Sequence, residues 1–124
     1  METRLLRRLD LFFRTYSAWD EPAHFALLAP DLVFSGSGSG IRGGSLLDYR
    51  GIFHGARDEL RIQQVRPIRL YGAWPEVAVL AEIHFAESIG TRSSIDSIWR
   101  FVFREDELVQ ELTVLWNPNG PHTF

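Results

Sequence analysis

After Leu60 the chain reads as four consecutive strand-like runs whose residues divide into two alternating sets, one more apolar than the other: Arg61 to Tyr71, Val77 to Glu87, Ser93 to Arg104 and Leu108 to Trp116. A period of two is the pattern of β-strands, whose side chains point to opposite faces in turn. The segments between the runs, Gly72-Ala-Trp-Pro75, Ile89-Gly90 and Glu105-Asp106, are short and turn-forming, so the four strands are expected to be antiparallel neighbours. Parallel neighbours would need crossovers of a dozen residues or more. Pro67 cannot donate to a ladder, which predicts a bulge or a sheet edge within the first run. One sheet thus dominates the fold, and the residues before Leu60 must cover its apolar face.

Parity identifies that face. In the second run Val77, Val79, Ala81, Ile83 and Phe85 form one set, and Ala78, Leu80, Glu82, His84 and Ala86 the other. The first set is uniformly apolar and is expected to turn inward. The same test sends Ile95, Ser97, Trp99, Phe101 and Phe103 inward from the third run, and Leu108, Gln110, Leu112, Val114 and Trp116 inward from the fourth. His84, Glu82, Asp96 and Arg100 then all fall on the outer face, where they read as a structural polar cluster. That face also carries Leu80, Ile98 and Leu115, a mixture suited to a dimer interface.

The first half reads as helical cover. Apolar residues at 5, 6, 9, 12, 13, 16 and 19 make one face of a helix from Leu5 to Trp19. Asp20 and Pro22 signal the start of a short second helix that Pro30 stops, over about 22–29. Asp31 to Ser35 reads as a short strand, and the Gly/Ser run from Ser35 to Gly44 as a loop without regular structure, best taken as a flap over whatever the sheet encloses. Ser45 and Asp48 have capping-box spacing, which predicts a third helix from Leu46 to Asp58. Gly51 and Gly55 lie inside it and suggest close packing against the sheet. The Gly/Ser run followed by Arg42 lacks the Gly-Lys-Ser/Thr of a phosphate cradle.

With 124 residues, the chain has the size of one domain spanning 1–124, and 45% hydrophobic residues suit a globular core. There is no cysteine, which excludes disulfides, thiolate metal sites and a cysteine nucleophile, and fits a cytoplasmic location. The four histidines are scattered without ligand spacing, so no metal and no cofactor are expected. All 13 basic residues are Arg against 16 acids, and the net charge of −3 argues against nucleic acid as a partner. The charge is unevenly spread, with residues 42–69 carrying six Arg against three acids and residues 76–111 eight acids against three Arg. Two solvated faces of opposite sign account for it. No stretch is apolar enough for a membrane span, and the charged N-terminal segment is unlike a secretory signal.

Helix, short helix, short strand, Gly-rich loop, helix and four long strands is an order that resembles the nuclear transport factor 2-like superfamily. The local pattern agrees in Phe13-Arg-Thr-Tyr-Ser-Ala-Trp19, Phe25-Ala-Leu-Leu-Ala-Pro-Asp-Leu-Val-Phe34 and Leu108-Val-Gln-Glu-Leu-Thr-Val-Leu-Trp116. The resemblance implies an α+β fold of cystatin-like topology, in which a cone-shaped, curved antiparallel sheet and three N-terminal helices enclose a pocket. It implies no particular activity, because the superfamily holds cyclases, isomerases, hydrolases and non-catalytic modules.

Within that fold the inward residues define a strongly aromatic wall. Tyr16, Trp19, Phe34, Tyr49, Phe53, Ile83, Phe85, Ser97, Trp99, Phe101, Gln110, Leu112 and Trp116 are the candidate pocket residues, and they suit an apolar or aromatic small molecule. The acids that the family's enzymes use are missing. By alignment on the ketosteroid isomerases, Gly36 stands at the general base, Trp99 at the protonated acid and Thr15 at the phenol donor, with Tyr16 one residue away. Cyclase relatives place an acid near the end of the last strand, where this chain has Trp116 and Asn117. Asp48, His54, Asp20 and His24 remain as titratable groups that could reach the pocket mouth. The expectation is therefore a homodimeric small-molecule-binding protein resembling the polyketide-cyclase-like branch, with cyclase- or isomerase-like catalysis left open. The alternative is a non-catalytic partner-binding or assembly module working through the outer sheet face.

Overall fold

A computed structural model describes residues 3–89 and 92–116. The element order is α1 (Thr3–Ser17), α2 (Glu21–Phe25), β1 (Leu28–Gly36), β2 (Ile41–Gly44), α3 (Leu46–Asp58), β3 (Ile62–Ala73), β4 (Glu76–Ile89), β5 (Arg92–Phe103) and β6 (Val109–Trp116). Gly90 and Asn117 lie outside the described residues.

The six strands form one curved sheet in the order β2-β1-β6-β5-β4-β3. As the short connections require, β3 to β6 are consecutive antiparallel neighbours. The sheet is nevertheless mixed, since β1 runs parallel to β6. Between those two strands lie β2, α3 and β3 to β5, ample chain for the crossover that a parallel pair needs. Pro67 sits on the edge strand β3 beside a register shift between Pro67 and Arg69, so its missing N–H interrupts nothing.

Each helix forms for a local reason. Leu5, Leu9, Phe12, Phe13 and Tyr16 are the buried stripe of α1, which ends where Trp19 takes a positive φ of 56°. Asp20 caps α2 by accepting from the Ala23 amide at 3.3 Å. In α3 the capping box is complete: Ser45 Oγ accepts from the Asp48 amide at 3.3 Å, and Asp48 Oδ2 from the Ser45 amide at 2.8 Å.

Two expectations for the first half are corrected. The second helix stops at Phe25 instead of continuing to residue 29, because Leu27 and Leu28 are taken by the sheet: the Leu27 carbonyl accepts from the Val109 amide, and Leu28 pairs with Val109. Pro30 therefore sits in β1, in the irregular stretch between Leu28 and Val33 where no register partner is lost. The Gly/Ser run is a hairpin whose second arm is β2. Its turn, residues 37–40, is held against β6 by Ser37, whose amide donates to the Val114 carbonyl and whose Oγ accepts from the Trp116 amide at 2.8 Å. A turn tied in this way is a rim rather than a free flap.

The inner sets of β4 and β5 are buried as parity requires; Phe12, Phe13 and Tyr16 of α1 pack against Trp99 and Phe101 of β5, while α3 lies over β1 and β3. In β6 the pattern breaks at its first residues. A bulge opposite Val102 and Phe103 turns Val109 inward, and Gln110 instead donates from Nε2 to the Asp31 carbonyl at 3.0 Å on the outside. Gln110 is thus removed from the inner wall.

Candidate functional site

The sheet's concave face and the helices leave a half-open cavity of about 330 Å³. Tyr16 of α1, Phe34 of β1, Tyr49 of α3, Ile83 of β4, Trp99 of β5 and Trp116 of β6 all border it, each foreseen as a pocket residue. Trp19, Phe53, Phe85, Phe101 and Leu112 pack into the adjoining core instead. Ser97 is buried behind the wall: its hydroxyl donates to the Ala81 carbonyl at 2.8 Å and accepts from Trp99 Nε1 at 2.8 Å. Ser97 therefore orients the Trp99 indole and has no hydrogen left for a ligand.

Parity missed the rim. Gly36, Gly38 and Ser39 border the cavity on one side, and Gly51, Gly55 and Glu59 of the α3 flank on the other. A Cβ on Gly38 would lie 2.8 Å from the Trp116 ring, so glycine there lets the turn approach the indole. Gly51 and Gly55 do not serve close packing as expected, since a Cβ at either would meet nothing within 4 Å. The signal for this side was present as the four-residue spacing 51, 55, 59, which marks one line along a helix.

A polar relay backs the aromatic wall. His24, expected as a titratable group that could reach the pocket mouth, is instead fully buried and does not border the cavity. Thr15 Oγ1 is 2.7 Å from the Leu11 carbonyl, and two oxygens that close require the hydroxyl hydrogen between them. His24 Nδ1, 3.0 Å from Thr15 Oγ1 and also facing the Phe12 carbonyl, must then carry the ring proton. Nε2 is left to accept from the Tyr49 hydroxyl at 2.8 Å. Burial among Phe12, Tyr16, Phe25, Tyr49 and Phe53 lowers the His24 pKa to about 4. Burial also raises the Tyr16 and Tyr49 phenols well above their ordinary value, for Tyr49 with a further contribution from Tyr16 nearby. At neutral pH all three groups are uncharged, so the relay can hold a hydroxyl in place but supplies no strong base.

Tyr16 differs from Tyr49 in one respect. It is 4% exposed, borders the cavity and has no hydrogen-bond partner among the described residues. Its oxygen is not sealed off, because no fully enclosed side-chain oxygen lacks a partner.

The other titratable candidates lie away from the cavity. Asp48 is engaged in the α3 capping box, Asp20 caps α2, and His54 Nε2 pairs with Glu21 of α2 at 2.8 Å. On the outer face Glu82 meets Arg66 at 3.1 Å and His84 at 3.2 Å, and Arg100 meets Glu76 at 2.7 Å. Glu59, at the C-terminal cap of α3, is the one carboxylate bordering the cavity among the described residues. Among the same residues, no three His, Asp or Glu side chains converge as metal ligands would, and no helix is long and apolar enough to cross a membrane.

No protein-family model matches the chain, and no curated protein matches it. Solved structures do. A candidate polyketide cyclase from Sinorhizobium meliloti superimposes with a TM-score of 0.73 at 17% identity, covering 87% of this chain and 93% of that one. A Catenulispora acidiphila protein with a ketosteroid isomerase-like fold, crystallised with trimethylamine, gives 0.73 at 13%, covering 89% and 85%. A nuclear transport factor 2-like protein of unknown function from Burkholderia xenovorans gives 0.73 at 13%, covering 98% and 87%. The chain has the nuclear transport factor 2-like cone fold.

Proposed function

We propose that this protein binds an apolar, ring-bearing small molecule in the cavity between α1, α3 and the concave face of the sheet. The observation that carries the reading is the Tyr16 phenol, buried in an aromatic wall yet without a hydrogen-bond partner among the described residues. Its oxygen keeps access to the cavity, so its hydrogen is available to an acceptor from outside the chain, and a ligand that enters must replace the water there with an acceptor of its own. The volume of about 330 Å³ is near the lower end for ligand pockets and suits one or two fused rings. The cyclase- and isomerase-like proteins of the same fold lend analogy to this choice of ligand. The positions where the resemblance to ketosteroid isomerases and cyclases implies acids hold Gly36, Trp99 and Trp116 here, so the hydrogen-bond donor left for the ligand is the neutral Tyr16 phenol. The test is calorimetric titration with cyclic ketones, phenols and naphthols alongside Tyr16→Phe. Micromolar binding of at least one ring compound, weakened about tenfold in the variant, is expected. No binding across the set would refute the reading.

A second reading is favoured by the outer face, where Leu80, Ile98 and Leu115 stand in register across β4, β5 and β6. Ile98 is 45% exposed and Leu115 50%. This apolar row, flanked by the Glu82 and Arg100 ion pairs, fits a homodimer contact, either beside ligand binding or as the whole task of an assembly module. The absence of cysteine suits a cytoplasmic setting for either. Sedimentation of the wild type and Ile98→Arg distinguishes them from a plain monomer: a dimer that the substitution dissociates is expected, and a concentration-independent monomer would remove the interface.

A further inference from the structure

The cavity's shape preference follows from α3, given the ligand-binding reading above. Gly51 and Gly55 are one turn apart inside this helix and both border the cavity. Glycine is the least favourable ordinary residue in a helix interior, so each weakens α3 and requires a reason. Backbone conformation is not that reason, because neither takes the positive φ seen at Gly40, Gly43 and Gly72. Packing is not the reason either. A Cβ on Gly38 would meet Trp116, and one on Gly44 would meet Ile41 at 2.5 Å, but at Gly51 and Gly55 there is only open space. What the two glycines leave is a bare strip of helix backbone running from the half-buried Gly55 to the exposed Gly51 at the open side of the cavity. Tyr16, whose hydroxyl has no hydrogen-bond partner among the described residues and is not sealed off, borders the same space.

We infer that Gly51 and Gly55 determine which ligand enters: they form the seat for a flat, uncharged ring system that lies against the α3 backbone and presents a carbonyl oxygen to the Tyr16 hydroxyl. A puckered or substituted ring would need the same space in depth that a methyl group at either position would fill. An anion finds no cation on this wall among the described residues and meets Glu59 at the rim. The Tyr16 phenol is a neutral donor, suited to a neutral acceptor.

The experiment uses the whole chain with 2-acetylnaphthalene as the flat ketone, trans-1-decalone as the puckered one and 2-naphthoate as the anion. Wild type, Gly51→Ala/Gly55→Ala and Tyr16→Phe are compared by calorimetry and thermal melting. Wild type should prefer 2-acetylnaphthalene over both other probes by at least tenfold. The double alanine variant should melt several degrees higher, because alanine strengthens the helix and its methyls enter empty space, yet bind the flat ketone at least tenfold more weakly. Tyr16→Phe should weaken binding with no such rise in melting temperature. A double variant that binds like wild type would overturn the seat while leaving the ligand-binding reading standing, as would one that melts lower. A wild type that binds none of the three would overturn both.

Discussion

Lowering the pH should destabilise this protein through His24 in a way that can be isolated. The ring is fully buried among aromatic side chains and its pKa is held at about 4, against 6.5 for an exposed imidazole. Because the folded value is the lower one, the unfolded chain takes up the proton first as pH falls. The stability associated with neutral His24 is complete above pH 6.5, declines as pH drops from there toward 4, and changes no further below. The full gap corresponds to about 3 kcal/mol, of which about 2 kcal/mol is already lost at pH 5. For a domain of this length 2 kcal/mol is a fall of roughly 8 °C in melting temperature. The neighbouring phenols Tyr16 and Tyr49 stay protonated throughout this range and add no slope of their own. Urea denaturation at pH 7.5, 6.5, 5.5 and 4.5 would be compared between wild type and His24→Gln, whose amide can still accept from Tyr49 and donate to Thr15. Carboxylates titrate in both proteins, so the difference between the two curves reports His24 alone. That difference should shrink by about 2 kcal/mol between pH 7.5 and 5. Parallel curves would refute a neutral, buried His24 and with it the assigned proton positions in the Thr15–His24–Tyr49 relay.

Ser97→Ala should cost about 1 to 3 kcal/mol, because Trp99 Nε1 loses its acceptor inside the core; chemical denaturation measures the loss and a shift in tryptophan emission locates it. Ser45→Ala should cost about 1 kcal/mol by opening the α3 capping box, with an amide-exchange signature confined to the first turn of that helix.

The relay bears on what the cavity can do. A histidine beside a tyrosine near a pocket suggests an acid–base pair, but here each group is pushed away from ionisation at neutral pH by the same aromatic shell. The chain has put its buried imidazole to fixing the Tyr49 hydroxyl, and Tyr16 on the neighbouring helix keeps a hydroxyl without a hydrogen-bond partner among the described residues.

Period-two alternation, read without coordinates, was enough to place the inner faces of β4 and β5, to send His84, Asp96 and Arg100 outside, and to delimit α3 from Leu46 to Asp58 through its cap. These are local properties: a strand's two faces and a helix's first turn are written in residues a few positions apart. The bond that holds Gln110 to Asp31 on the outside, the parallel pairing of β1 with β6, and the capture of Leu28 by the sheet depend on partners far away in the chain, 79 residues for Gln110 and Asp31, which no window along the chain reveals. The same holds for the site. The aromatic character of the wall was legible in composition and parity. That Tyr16 lacks a hydrogen-bond partner among the described residues while Tyr49 has one, and that Gly51 and Gly55 face open space, was decided by how α1, α2 and α3 settle on the sheet, since hydrogen bonds and cavities exist only between elements brought together in three dimensions.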